Sequence, residues 1–309
     1  MALPIHLTTN ALRELLGGRF RKSTKERSWV ALREPRLAGP DDVAVLGERV
    51  SLSDKAACRA GLKIVGIAFP EAAGLEVDSP ELALSVIVRH FATTPTSDEW
   101  LSADDVVDRF GEISRYSRIH RSAVIGEGAT LGAGVVIHAG VRVGKACVLG
   151  DQIVLGSQGF GFSPGASGRF EALPHRAGVV LEDDVQIGAS TNIAAGLIEP
   201  TRVGRGSRLD AMVQVGHNCQ IGADCILAAQ TGLSGSVELG DGCMVGGQAG
   251  FADHVRLGPG CRVAGQAGVT RSWPAGTVLV GFPARPHRQW NRDFAHSVLA
   301  KRTLLRSNP

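Results

Sequence analysis

Two histidines stand out in the second half of this chain, where apolar residues and glycine dominate. His217 lies in Val215-Gly216-His217-Asn218-Cys219, and His254 lies in Ala252-Asp253-His254-Val255. Gly235, in Ser234-Gly235-Ser236, follows His217 by 18 residues, and His254 follows it by 37. A neutral imidazole takes a proton from an amine or hydroxyl near pH 7. A fixed backbone N–H with no side chain over it can hold the oxyanion that forms on a carbonyl under attack. Together these are the requirements of acyl transfer. No Ser or Cys sits in an activating motif, so direct attack by an acceptor on a thioester is the economical route. A lone outward histidine is otherwise an ordinary surface residue. The reading therefore depends on where the chain places these three.

A repeat provides the placement. Every sixth residue from Val203 is apolar, through Leu209, Val215, Ile221 and onward to Val263 and Val269. A period of six fits neither the helical 3.6 nor the alternation of a lone strand. It is the hexapeptide repeat of a parallel β-helix. Three hexapeptides make one coil, so residues 18 apart lie in register on coils roughly 4.8 Å apart. His217 and Gly235 then occupy adjacent coils. His254 lies two coils plus one residue beyond His217, roughly 10 Å along the axis. An earlier run of hexads extends from Ile119 to Leu155, and its phase is lost over 157–178. That segment is expected to leave the coil as an external loop carrying Gly159-Phe160-Gly161-Phe162. Phe160 and Phe162 either serve binding or pack back on the coil wall. The repeat resumes at Leu181, slips near Glu199-Pro200 and ends near Trp273-Pro274.

Residues 1–100 lack the six-period. A helix beginning at Asn10, strands at Asp42–Leu46 and Lys63–Ala68, and a helix from Ser79-Pro80 to Phe91 describe a small α/β domain. The expected architecture is mainly β: this domain, a β-helix over 101–280 and a C-terminal helical segment over 281–309. In the last segment Trp290, Phe294, Val298 and Leu305 share a face, while Arg288, Arg292, Lys301, Arg302 and Arg306 lie elsewhere. It is either an oligomerising helix with a solvated face or a dock for an acidic partner.

A net charge of +3 over 309 residues gives no reason to expect nucleic acid. No basic segment followed by an apolar run opens the chain, and no run approaches the ~18 apolar residues of a membrane span. The expectation is a cytoplasmic protein with no transmembrane segment. Cys225, Cys243 and Cys261 are spaced by 18, and Cys147 and Cys219 take the same step of the repeat. Without a CxxC pair they read as small corner residues rather than as a metal or redox site. Zinc needs at least three protein ligands, and no histidine stands between His254 and His287. Neither a metal nor a bound cofactor is expected.

At this point the chain resembles the UDP-3-O-(3-hydroxyacyl)glucosamine N-acyltransferase family of lipid A biosynthesis. The segments that carry the resemblance are Gln158-Gly159-Phe160-Gly161-Phe162, Val185-Gln186-Ile187-Gly188-Ala189, Val213-Gln214-Val215-Gly216-His217-Asn218, Gly246-Gly247-Gln248-Ala249-Gly250, Ala252-Asp253-His254 and Gly281-Phe282-Pro283-Ala284-Arg285-Pro286. The resemblance implies a left-handed helix, a homotrimer with active sites between subunits, and transfer of a 3-hydroxyacyl chain from acyl carrier protein to the 2-amino group of a UDP-glucosamine derivative. The 4'-phosphopantetheine group enters on the carrier, although coenzyme A is an alternative donor. The resemblance makes His217 the general base, His254 the second active-site histidine and Gly235 the oxyanion glycine. Phe160, Phe162, Asn218 and Gln248 become candidates for substrate binding, and Arg285, Arg288 and Arg292 candidates for docking the carrier. Two segments depart from the family. Asn192-Ile193-Ala194-Ala195-Gly196 stands where the family has Thr-Ile-Asp-Arg-Gly. Val45-Leu46-Gly47-Glu48 stands where the family has Phe-Leu-x-Asn around the uracil. Val45 cannot stack as Phe does, and Glu48 lacks the amide donors of Asn. The alternatives are a diverged N- or O-acyltransferase for another amino sugar or amine, and a non-catalytic trimeric scaffold.

Overall fold

The hexads govern the second half of the molecule. The structure is a computed structural model and describes residues 3–20, 26–47, 50, 52–66, 74–91, 100–111, 114–164 and 168–296. All twelve sixth-position residues from Val203 to Val269 are at most 4% exposed. Each buried Val or Leu side chain contributes ~1.5–3 kcal/mol. The hexads fold into three parallel sheets of eight, seven and nine strands that share one core, the third closing on an antiparallel strand at Arg285–Pro286. The first sheet pairs Ile119 with Ile137, Ile137 with Leu155, Val215 with Leu233 and Leu233 with Phe251, each a step of 18. This is the expected hexapeptide β-helix, consistent with its left-handed form.

Two steps of the first sheet are longer, and they account for the lost phase. Leu155 pairs with Ile193, a step of 38, and Ile193 pairs with Val215, a step of 22. The coil therefore gives out 20 extra residues at the expected loop and 4 at the expected slip.

The chain divides into two compact units. The first holds Met1–Asp98 together with Gln158–Gly178 and Ala195–Pro200, and the second holds the coil and the C-terminal segment. The residues that leave the coil thus group with the N-terminal part. In the first unit a six-stranded sheet has the order β1 (Leu3–Thr8), β3 (Ser28–Leu32), β4 (Asp42–Leu46), β5 (Leu62–Gly66), β6 (Leu75–Val77), β2 (Arg19–Phe20). The β3-β4-β5-β6 core is parallel and the two outer pairs are antiparallel. Helix α1 (Thr9–Leu16) begins one residue before the expected Asn10, because the Thr8 hydroxyl accepts from the Ala11 N–H at 3.2 Å and serves as the cap. Helices α2 (Leu52–Ala57) and α3 (Pro80–Phe91) follow. Leu197 and Ile198 join this unit's core, and Glu199, 6% exposed, pairs with Arg33 at 3.3 Å. The slip is therefore an apolar plug with an ion pair at its end.

In the second unit α4 (Ala103–Phe110) opens on a Ser102–Asp105 capping box and buries Val106 in the coil's core. Residues 287–296 are helical. Trp290 and Phe294 stack there at 5.0 Å, while Val298, Lys301, Arg302, Leu305 and Arg306 lie outside the described residues. Among the described residues no helix is long and apolar enough to cross a membrane.

The cysteines are structural donors. The thiols of Cys219, Cys225 and Cys243 donate to carbonyls 15 residues on, those of Ser234, Gly240 and Gly258, at 3.1–3.4 Å. Ser207 and Thr231 make the same bond from the same step, to Gly222 and Gly246. A thiol here is a compact apolar residue that also satisfies one buried carbonyl. All six cysteines are free and buried.

Candidate functional site

Each corner of the coil turns on two residues, and the second commonly adopts a left-handed backbone. Asn218 (φ 62), Ser236 (φ 60) and His254 (φ 58) do so on one corner, and Gln230, Gln248 and Gln266 on another. The φ of His254 therefore belongs to the corner and not to a special strain. Stacking the coils puts His217, Gly235 and Asp253 in one column and Asn218, Ser236 and His254 in the next. The Ser236 N–H donates to the His217 carbonyl at 2.8 Å, and the His254 N–H donates to the Gly235 carbonyl at 3.0 Å. The three residues expected to act together share this corner. His217 is half-buried and His254 is exposed.

The His217 ring is oriented. Its Nδ1 lies 3.3 Å from Asn218 Oδ1. An amide oxygen only accepts, so this contact is a hydrogen bond in the tautomer that carries its proton on Nδ1 and its lone pair on Nε2. That nitrogen lies over Gly235. A Cβ on Gly235 would stand 2.6 Å from both Nε2 and Cε1 of His217. Any side chain here would have to displace the ring. Asn218, a substrate-binding candidate by sequence, is in the structure a partner of the His217 ring.

The amide of Gly235 is the second feature. At the same step of other corners the N–H is capped by a carboxylate one coil on: Ala133 by Asp151 and Ala223 by Asp241, each at 2.8 Å. Asp253 holds that place relative to Gly235, yet among the described residues the Gly235 N–H makes no hydrogen bond. An open donor thus lies beneath an imidazole. Beside it, Gly232 and Gly250 strip the outward side of the first sheet to backbone, with nothing within 4 Å of where their Cβ atoms would be. On the next coil the Phe282 ring covers Gly268. Repeat arithmetic alone finds Asp253, one further step of 18 from Gly235, but only the structure shows that its cap is withheld.

Other candidates lie elsewhere. Gln248 is on a different corner from the histidines, in a ladder with Gln230 and Gln266 at 2.7 and 2.8 Å, so it is not part of the His217 cluster. Phe160 and Phe162 belong to the first unit. They are 86% and 49% exposed and meet edge-to-face at 5.1 Å. Their hairpin, Phe162–Pro164 with Phe170–Ala172, is held by Arg89 of α3, which reaches Ser163 Oγ at 3.1 Å and the Glu171 carboxylate at 2.9 Å. Val45, 7% exposed, belongs to the core of the first unit, which corrects its placement among ligand-contacting residues. Glu48 lies outside the described residues. Arg285 is paired with Asp293 at 2.7 Å, while Arg288 and Arg292 are exposed. Ala194 and Ala195 are buried. Among the described residues no group of three or more His, Cys, Asp or Glu is placed to hold a metal ion.

Comparison with known proteins bears on the repeats. Residues 200–235, which include His217 and Gly235, match the bacterial transferase hexapeptide model of six repeats. Residues 122–156 match the hexapeptide repeat of succinyl-transferase. Both matched stretches are hexapeptide repeats of the coil. Among solved structures, UDP-N-acetylglucosamine acyltransferase from Campylobacter jejuni is 22% identical, with a TM-score of 0.45 over 56% of this chain and 72% of that one. The UDP-N-acetylglucosamine acyltransferase of Bacteroides fragilis is 20% identical, with a TM-score of 0.49 over 56% of this chain and 73% of that one. The Arabidopsis enzyme of the same name is 17% identical, with a TM-score of 0.47 over 55% and 65%.

Proposed function

We propose that the protein is an acyltransferase that moves a 3-hydroxyacyl chain from acyl carrier protein to the 2-amino group of a UDP-3-O-acyl-glucosamine, as a homotrimer in the cytoplasm. The observation that carries the proposal is the His217 ring, oriented by Asn218 and lying over the uncapped Gly235 amide. His217 Nε2 takes a proton as the acceptor nitrogen attacks the thioester carbonyl. The new C–N bond forms, and the carbonyl oxygen, now anionic, accepts from the Gly235 N–H. When the adduct collapses the C–S bond breaks, and the imidazolium returns the proton to the departing thiolate. The outcome is an amide, a free thiol and a neutral histidine. His254, two coils on and exposed, binds or orients substrate. The lane along Gly232 and Gly250 suits an extended acyl chain, since no side chain obstructs it.

A second reading keeps the chemistry and changes the acceptor. It is favoured by the chain just beyond the C-terminal end of β4. A Cβ at Gly47 would meet Glu81 Oε1 at 2.3 Å, so a carboxylate lies over the chain where the family's nucleotide loop is expected. Val45, buried, offers no ring to a base. The test is one acyl-carrier thioester offered to a panel of UDP-amino sugars, other amino sugars and simple amines. Turnover with UDP-3-O-acyl-glucosamine alone supports the first reading. Turnover only with another acceptor supports the second. No turnover with any member defeats both and leaves the trimeric scaffold.

A further inference from the structure

The hairpin of the first unit has two faces, and only one of them is covered. In its antiparallel ladder Phe162 stands opposite Ala172, Ser163 opposite Glu171 and Pro164 opposite Phe170. Side chains alternate along a strand, so Ser163 and Glu171 share one face while Phe162, Pro164, Phe170 and Ala172 share the other. The first face is fastened. Ser163 is buried, and Arg89 of α3 grips it together with the Glu171 carboxylate. The base of the hairpin is tied down as well. The Leu173 N–H donates to the Gly161 carbonyl at 2.8 Å, and Leu173 packs on the core of the first unit. His175, buried, lies with its Nδ1 3.0 Å from Gln158 Nε2. The second face is open. Phe170 is 77% exposed, Pro164 and Ala172 are exposed, and the exposed ring of Phe160 meets Phe162 edge-to-face. Three aromatic rings held in water on a fastened support form a contact surface.

Charge decides what that surface fits. The charged side chains of 158–178 are Arg169, Glu171 and Arg176. Glu171 is on the fastened face and is already held by Arg89. Arg169 immediately precedes Phe170, Arg176 follows the hairpin, and both are exposed. The open side is therefore apolar and cationic. A second copy of the same face would bring guanidinium against guanidinium, and a lone hydrocarbon chain offers those groups no counter-charge. A layer of anionic headgroups over hydrocarbon matches both properties. We propose that the hairpin docks on an anionic lipid surface. The Phe rings enter the boundary between headgroups and acyl chains, and Arg169 and Arg176 stay among the phosphates. Each basic side chain near such a surface strengthens binding about fivefold, and each Phe that leaves water about tenfold or more. Docking of this kind is peripheral and reversible, and it requires no acyl-transfer activity.

The test is sedimentation of the full chain with two sets of vesicles, one of phosphatidylglycerol and phosphatidylethanolamine, the other of phosphatidylcholine alone. At low salt the chain should partition onto the anionic set about tenfold or more above the neutral set, and high salt should remove most of that preference. Phe170→Ser should lower the partition about tenfold, with an unchanged melting temperature because the ring is exposed. Arg169→Gln should lower it about fivefold on the anionic set alone. Val124→Ser, which removes a 55% exposed apolar residue of the coil, should change nothing. A wild-type chain that stays in the supernatant with both sets overturns the proposal. So does binding that Phe160→Ser and Phe170→Ser both leave intact, or that Val124→Ser weakens as much as they do. If Phe170→Ser keeps vesicle binding but changes the molar mass by light scattering, a second copy covers the face. If it keeps vesicle binding but raises the KM of an acylated acceptor, a substrate chain covers it. Either result rejects the lipid surface.

Discussion

Ala223 and Gly235 stand at the same step of neighbouring corners, twelve residues apart, on one continuous coil. At Ala223 the corner is closed: Asp241 takes the backbone N–H at 2.8 Å. At Gly235 the corresponding N–H makes no hydrogen bond among the described residues, and the imidazole of His217 occupies the place of a side chain. The backbone hardly differs between the two. What differs is one missing Cβ, one withheld carboxylate and one added ring. A coil that otherwise satisfies its own polar groups leaves one of them open here, next to an imidazole.

The strongest way to break this comparison is to remove the base. His217→Ala should lower turnover by ~10²–10⁴-fold, the usual loss for acid–base catalysis. The melting temperature should stay nearly unchanged, because His217 is only half-buried and belongs to no core layer. A near-normal rate would remove the proton-transfer role. Gly235→Ala sharpens the point, since its Cβ would stand 2.6 Å from the ring and must push it aside while leaving the N–H in place. Its turnover should fall about tenfold or more, between wild type and His217→Ala. A rate at or below that of His217→Ala would mean that Gly235 does more than make room for the ring.

Two residues beyond His217 the contrast runs from surface to interior. Cys219 is a nucleophile by type, but burial pushes its thiol up to about 12 from its ordinary 9.0. Burial likewise raises Cys147 and Cys261. Between those two values the folded chain keeps a proton that the unfolded chain releases. Stability from Cys219 is therefore fully present below about pH 9 and is lost as pH climbs toward 12, by at most ~4 kcal/mol at ~1.4 kcal/mol per unit. Urea midpoints at pH 8 and pH 11 should fall more for wild type than for Cys219→Ser, which keeps a donor of the kind Ser207 and Thr231 provide and does not titrate there. Parallel falls would mean that the thiol is not what the alkaline limb reports.

How much of this the sequence made legible depends on whether a rule of spacing reached it. The core did, since a residue every sixth position has only one side of the coil to face. The shared corner of His217, Gly235 and His254 did as well, because steps of 18 convert directly into stacked coils. The corner that Gln248 occupies, in a ladder with Gln230 and Gln266, was not legible from its motif, because a matching motif says nothing about which of three corners it falls on. The burial of Val45 was not legible either, because alignment to a family position does not report side-chain surroundings, and β4 is buried on both faces from Val43 to Leu46. The grouping of Ala195–Pro200 with the first unit was also hidden. Four extra residues look like noise in a repeat until Leu197 and Ile198 are seen in another core. The withheld cap at Gly235 follows no spacing rule, since Asp253 stands where a capping residue belongs.

That last point supplies the smallest and most discriminating prediction. Asp241 and Asp253 hold equivalent positions one coil on from Ala223 and Gly235. Asp241→Ala leaves the Ala223 N–H without its carboxylate, and loss of such a cap costs ~0.5–2 kcal/mol. It should lower the denaturation midpoint and leave turnover alone, being on a corner with neither histidine. Asp253→Ala removes a carboxylate that caps nothing, so its stability should stay within ~0.5 kcal/mol of wild type, as for an ordinary surface change. If Asp253→Ala costs as much as Asp241→Ala, then Asp253 caps Gly235 in solution. The open amide would then exist only when substrate displaces that carboxylate, and the same variant would raise the affinity for substrate. Equal, negligible costs at both positions would instead show that water serves the corner amides as well as aspartate does, and the distinction between the two corners would rest on His217 alone.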